Sequence, residues 1–409
     1  MKQLPISPFL LVAALVCITD IHAQQTETSA GRVSPKELAI SPSPIFDLMA
    51  ATPTQVTRMA DIKDFKVDWS LKYGVNPNLA IQSQPFWEFF YNRKDLSKYQ
   101  KASGFMRKLA SIDVSLGSIQ DDDNYRRIGG AVKLNLYRQK DPLMEKGMYE
   151  DIGAKYKQEK EELLLQLKEA KQKLDTITNI LEKPALRTQI RSLEDQLNSQ
   201  NSKRMGEINE RAKIFVNEYW NASSLDVAVG RMHTFKSDSS GTFGMKRSNR
   251  SSGWGAWLNG NVGIGKQFLL TGLLRSFWYN EQVDFIIKDN ITGDETADKT
   301  IAKNNLYSMG LNLRYGGAIY TFFVELLYEY KKLSTPIEAV NQNYKVPGNV
   351  QIVGSSLKWD EVNPNTLTFG GDWRISQSVI INYGMRCVFD SKWNFKTFTP
   401  VATISCMMR

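Results

Sequence analysis

The residues able to do chemistry are few and scattered. Of the two histidines, only His233 lies beyond residue 23. A single histidine disfavours a histidine metal site, which takes several ligands. Ser237, Asp238, Ser239 and Ser240 follow it, and these are types that a surface hydrolase combines with histidine. No nucleophile motif such as G-x-S-x-G accompanies them. His233 therefore reads as a rim histidine, and no catalytic residue, metal site or cofactor is assigned. Asp121-Asp122-Asp123 groups hard oxygen ligands, but its spacing matches no calcium loop, and a solvated turn is the reading. Lys236, Lys246, Arg247 and Arg250 either clamp phosphates of a glycolipid headgroup or form a plain solvated loop.

A larger set of charges is periodic. From Asp64 to Tyr73, Phe65, Val67, Trp69, Leu71 and Tyr73 alternate with Lys66, Asp68, Ser70 and Lys72. Side chains alternate faces along a strand, so one face is apolar and the other charged. The pattern recurs in Tyr307 to Tyr315 and most clearly in Tyr320 to Tyr330. The polar faces collect Lys66, Asp68, Lys72, Asp113, Lys133, Arg314, Glu325, Glu329, Asp372, Arg374 and Arg386. A selective pore more often shows one dominant sign. The mixed signs predict charges paired across a filled or narrow interior.

The elements that must position these charges follow from the rest of the chain. Lys2, the apolar run Phe9 to Ile18 and the small-residue end at Ile21-His22-Ala23 read as an export signal over residues 1–23. No later stretch reaches 18 consecutive apolar residues, which excludes a helical membrane span. Amphipathic strands of about ten residues, with aromatics at their ends, predict an all-β transmembrane antiparallel barrel. Twelve strands are expected, starting near 64, 78, 109, 126, 222, 243, 267, 304, 317, 364, 377 and 398. Residues 24–63 form a periplasmic lead-in or lumen plug; 64–140 carry strands one to four and 222–409 strands five to twelve. Gly265-Lys266-Gln267 and Gly316-Gly317 read as tight turns, and Glu281 to Lys303 and Lys332 to Asn363 as long loops. Cys387 and Cys406 fall on the outward face, several residues out of register, so no disulfide is expected. The net charge of +9 in an exported chain suits anionic lipid headgroups or surface polysaccharide, and nucleic acid is not expected as a partner.

Residues 141–221 change character. Leu163, Leu167, Ala170, Leu174, Ile177 and Leu181 are spaced 4, 3, 4, 3 and 4; Leu186, Ile190, Leu193 and Leu197 continue at 4, 3 and 4. These are heptad seams. Pro184 between them ill suits a helix interior. The spacing predicts an inserted antiparallel coiled-coil hairpin, each arm about 35 residues and about 50 Å long. Its leucines and isoleucines, from Leu163 to Leu197, are the candidate partner-binding residues. Strand parity puts the hairpin in the periplasm.

Several segments resemble uncharacterised outer-membrane β-barrel proteins of Bacteroidota. They are Ser43-Pro44-Ile45-Phe46-Asp47-Leu48 with Pro53-Thr54-Gln55-Val56-Thr57, Asn78-Leu79-Ala80-Ile81 with Pro85, and Phe369-Gly370-Gly371-Asp372. The resemblance implies location and fold and transfers no active site. The expectation is a non-enzymatic Gram-negative outer-membrane barrel, in contact with lipid, whose hairpin engages a periplasmic envelope protein. The alternative is a small-solute channel, and after it a surface enzyme or adhesin.

Overall fold

The computed structural model describes residues 43–55, 65–71, 78–91, 96–120, 125–144, 150–177, 179, 181–236, 246–332, 350–355, 364–376 and 378–408. The strands are β1 (Phe65–Ser70), β2 (Asn78–Ser83), β3 (Asp113–Gln120), β4 (Tyr125–Arg138), β5 (Ser224–Lys236), β6 (Lys246–Ile264) and β7 (Phe268–Asp289). They continue as β8 (Glu295–Gly316), β9 (Tyr320–Lys332), β10 (Val350–Ser355), β11 (Asn365–Arg374), β12 (Val379–Phe389) and β13 (Phe395–Met408). Twelve of them close into an antiparallel barrel: β1 pairs with β13, and β7 with β8 completes the ring. β10 stands outside the ring, paired to the far end of β7.

Alternation explains the wall. Along β8 and β9, Tyr307, Met309, Leu311, Leu313 and Tyr315, and Phe322, Val324, Leu326, Tyr328 and Tyr330, are exposed outward. Their neighbours Ser308, Asn312, Arg314, Thr321 and Glu325 are buried inward. Tyr307 faces Tyr330 across the ladder and Tyr315 faces Phe322. The eight steps from Tyr307 to Tyr315 span ~27 Å at ~3.4 Å each. A strand tilt of ~40° reduces this to about 20 Å, close to the ~25 Å apolar band of a membrane barrel.

The long loop expected over Glu281 to Lys303 is not a loop. β6 leaves β7 at Ser252↔Asn280, but β7 and β8 stay paired out to Lys288↔Glu295. They rise as a ribbon above the barrel and turn at Gly293, whose φ of +78° suits a residue without Cβ. β10 lies within the second expected loop. The solvated turn expected at Asp121-Asp122-Asp123 lies outside the described residues. Cys387 and Cys406 are free; they face Phe398 and Val379 respectively.

Both helical insertions leave from the end of the barrel that carries the tight turns. Between β2 and β3 lie α1's successors α2 (Pro85–Phe90), α3 (Leu96–Lys101) and α4 (Gly104–Ala110), where α1 is Pro44–Leu48. A strand starting near 109 is thus corrected: α4 runs through Ala110, capped by Ser103, and β3 starts at Asp113. Pro85 opens α2 at a position that needs no N–H donor. Between β4 and β5, α5 (Glu150–Thr176) and α6 (Lys183–Tyr219) run antiparallel. The arms are unequal, 27 and 37 residues, or ~40 and ~55 Å. Pro184 sits in the first turn of α6.

Candidate functional site in the barrel lumen

The lumen is occupied by the chain itself. Residues 43–55 cross it, with Ile45, Phe46, Leu48, Met49 and Ala51 almost fully buried. α1 rests on a wall where the inward positions are small. A Cβ on Gly117 would come within 2.8 Å of Ile45, and one on Gly255 within 2.3 Å of Leu48. Facing them, Leu273 and Phe277 of β7 point inward and complete an apolar contact around the helix.

Charged side chains hold the rest of the segment. On the β1–β3 side, the Ser43 amide donates to Asp68 Oδ2 at 2.6 Å, and its hydroxyl donates to the same oxygen. The Ile45 amide donates to Ser115 Oγ at 3.0 Å, and Ser70 Oγ to the Ala51 carbonyl at 2.6 Å. On the opposite side, Thr54 donates to Glu325, and the Gln55 amide donates to Glu325 Oε1 at 3.0 Å. Arg275 donates to the Asp47 carbonyl (3.2 Å), to Gln55 Oε1 (2.6 Å) and to Glu329 (3.1 Å). Arg386 donates to the Thr52 carbonyl at 2.9 Å.

The charges named from sequence lie as follows. Lys66 and Asp68 pair at 2.7 Å with no exposure, and Lys133 reaches Asp113 at 3.5 Å. Arg314 pairs with Asp372, its guanidinium stacked 4.9 Å from the Phe323 ring centre. Glu325, Glu329 and Arg386 contact the lumen segment or its anchor. Arg374 is half-buried at the turn end, and Lys72 lies outside the described residues. These groups form two sets, one on β1–β4 and one on β7–β12, with residues 43–55 between them.

Arg275 escaped the sequence reading. β7 is apolar on both faces because its inner face also packs on α1, so the period of two is blurred there. The signal was the outward parity of Leu274 and Trp278, which puts Arg275 inside. His233 faces outward on β5, opposite Ile128. The side chains of the basic loop lie outside the described residues, and no group of metal-binding residues occurs among the described ones.

A helical cap covers the turn end. Trp87, Tyr91 and Tyr99 from the β2–β3 insertion pack with Leu143, Ile152, Ile208, Ala212, Phe215 and Val216 at the base of the hairpin. Ala318, in the β8–β9 turn, packs on the same cluster. The β2–β3 and β8–β9 connections are diametrically opposed in the ring order, so the cluster bridges the mouth. Trp220 Nε1 and Asn221 tie the end of α6 to the β6–β7 turn at 2.9–3.0 Å. Tyr99 donates to Asp141 at 2.7 Å; burial and that carboxylate push its hydroxyl far above the ordinary phenol range. Beyond the cap, the seam positions Leu163, Leu167, Leu174, Ile177, Leu186, Ile190 and Leu197 are half-buried and Leu193 is buried. Leu181 is the correction: it sits in the turn between the arms and is 87% exposed, because α5 ends before the heptad reaches it. Leu164 and Leu165 on α5 and Ile214 on α6 are also turned to solvent.

A closed antiparallel ring, an apolar outer belt with aromatics and a polar interior define the outer-membrane type of transmembrane β-barrel. No family model and no curated protein matches the sequence. Among solved structures, the chain is similar to the NanC porin at 7% identity and TM-score 0.27, covering 84% of this chain and 99% of that one. It is similar to the CymD monoaromatic hydrocarbon channel at 7% identity and TM-score 0.30, covering 91% and 94%. The outer membrane protein Omp33 of Acinetobacter baumannii gives 9% identity and TM-score 0.26 over 85% and 98%. At this level the likeness adds nothing to the architecture that the strand pairing defines.

Proposed function

We propose that the protein is a non-enzymatic outer-membrane anchor whose helical hairpin engages an envelope protein in the periplasm. The observation that carries this is the contrast between a lumen closed by residues 43–55 and a hairpin that extends well beyond its cap with Leu164, Leu165 and Leu181 exposed. Barrels keep short turns on the periplasmic side, and the hairpin leaves from that end. Its base is packed into an aromatic cluster, which would hold the arms at a set angle. The lumen segment carries the Ser43–Leu48 and Pro53–Gln55 residues of the Bacteroidota-type resemblance, and kinship with that group belongs to the same proposal. Photo-crosslinking residues at positions 165 and 181 should trap one envelope protein in intact cells, and Leu164→Glu with Leu165→Glu should abolish the adduct from position 181. No adduct from either position, in cells where the folded barrel is present, overturns the reading. A thiol at Leu181→Cys that labels before the outer membrane is permeabilised overturns the periplasmic side.

A second reading, a small-solute channel, is favoured by one feature: residues 43–55 are held largely by hydrogen bonds to a polar wall, and their departure would leave a charged passage. Planar-bilayer conductance that changes with Glu325→Gln supports it. A silent, intact barrel counts against it.

A further inference from the structure

A cavity of about 320 Å³ lies between the helical cap and the inner wall, bordered by α3, α4 and the turn-end portions of β3, β4 and β5. This is within the size range of small-molecule sites. Its lining is charged. Arg107, Lys108, Lys133 and Arg138 supply four cations, and Asp113, Asp141 and Asp226 three anions, a net formal charge of +1.

Most of these groups are engaged within the protein. Lys133 meets Asp113, Asn135 Nδ2 donates to Asp226 at 2.7 Å, Tyr99 donates to Asp141, and Arg138 Nε donates to the Lys140 carbonyl at 2.6 Å. Arg107 differs. Among the described residues its guanidinium makes no ion pair, and its hydrogen bond goes to the thioether sulfur of Met144 at 3.1 Å. A thioether is a weak acceptor, whereas a guanidinium presents a planar fork suited to two oxygens of a carboxylate. The fork is half-buried, so an anion held there would be partly shielded from water. Asp113, 2% exposed, is held by Lys133 at 3.5 Å and closed to solvent, so it leaves the anion site to the cations.

We infer that this cavity binds a small monocarboxylate, its carboxylate on Arg107 with Lys108 beside it. The charge balance selects the class. One negative charge neutralises the site, while a phosphate dianion would overshoot it beside three aspartates. The inference stands apart from the partner proposal, since it concerns the cavity beneath α4 and not the hairpin arms.

The test is calorimetric titration of the purified full-length protein in detergent with sodium gluconate. Sorbitol serves as the uncharged analogue and inorganic phosphate as the competing anion. Gluconate should bind, sorbitol should give no heat beyond dilution, and phosphate should bind at least tenfold more weakly than gluconate. Arg107→Gln should weaken gluconate at least tenfold and Lys108→Gln by a few-fold; Arg191→Gln, on the distal hairpin, should leave it unchanged. Should Arg107→Gln lose the heat-modifiable gel mobility of a folded barrel, the wild-type comparison of gluconate with sorbitol still decides. Failure of the wild type to bind gluconate, equal binding of sorbitol, or an unchanged Arg107→Gln overturns the site. Tighter phosphate than gluconate overturns the carboxylate assignment.

Discussion

The lumen and the hairpin carry the same kinds of charge in opposite settings. In the lumen, Lys66 and Asp68 are without exposure, and Arg314 and Asp372 are 1% and 7% exposed. On the hairpin, Lys171 and Glu194 meet at 2.8 Å with 52% and 45% exposure, and Arg211 meets Asp151 at 2.7 Å with 31% and 58%. Distances are alike; solvent is not. Buried partners hold each other because neither has water to return to. Exposed partners exchange one hydration for another and gain little. The lumen charges therefore position the chain segment that fills the barrel. The hairpin charges decorate an element held by its seam and its aromatic base.

The largest break in this comparison should come from Asp372→Ala, which strands the buried Arg314 guanidinium. A loss of about 3–5 kcal/mol is expected, read by thermal unfolding through the gel-mobility shift. The double change Arg314→Met with Asp372→Leu should recover most of it. If the single change is silent, the lumen pairs behave like surface pairs and the contrast fails. Next is Phe215→Ala at the hairpin base, costing about 3 kcal/mol. It should loosen α6 while the barrel stays folded, so hydrogen exchange should rise at residues 205–219 and not in β6–β9. Gly255→Val should cost about 1–3 kcal/mol by overpacking, because its Cβ would meet Leu48. Faster exchange or proteolysis of residues 43–55 is the readout. The smallest effect is the pH response of the hairpin base. The hydrogen bond from Arg211 holds the Asp151 carboxyl below the usual carboxylate range, against an upward push from burial. A depressed folded value means that the pairing stabilises above the unfolded value of about 4 and is lost as pH falls through the lower folded one. Acid should thus release less than ~1 kcal/mol here, and Asp151→Asn should remove the pH dependence of exchange at the start of α5.

Much of the barrel was legible because its signal is local. The alternation in Tyr320–Tyr330 needs no tertiary context, and the strand starts near 64, 78, 126, 222, 267, 364 and 377 each lie within two residues of the observed starts. The 281–303 ribbon was not legible, since Glu281, Asp284, Lys288, Lys299 and Lys303 make it polar on both faces and leave no periodic signal. α2 to α4 were hidden for the opposite reason: Phe86, Trp87, Phe89, Phe90 and Tyr91 form an aromatic run, interrupted only by Glu88, without helical period. Arg275 was masked because its inward neighbours on β7, Leu273 and Phe277, are apolar.

What the sequence determined by itself is which face the residues of the strictly alternating strands occupy and where the chain turns from strand to heptad helix. Both follow from periodicities of two and three and a half residues, which are properties of neighbours in the chain. What only the tertiary structure decided is which charges meet, where residues 43–55 lodge, and that the cap joins opposite sides of the mouth. Thr54 reaches Glu325 and Arg386 reaches Thr52 across separations of 271 and 334 residues. No local pattern encodes such contacts, because they depend on closing twelve strands into a ring before either partner has anything to bind.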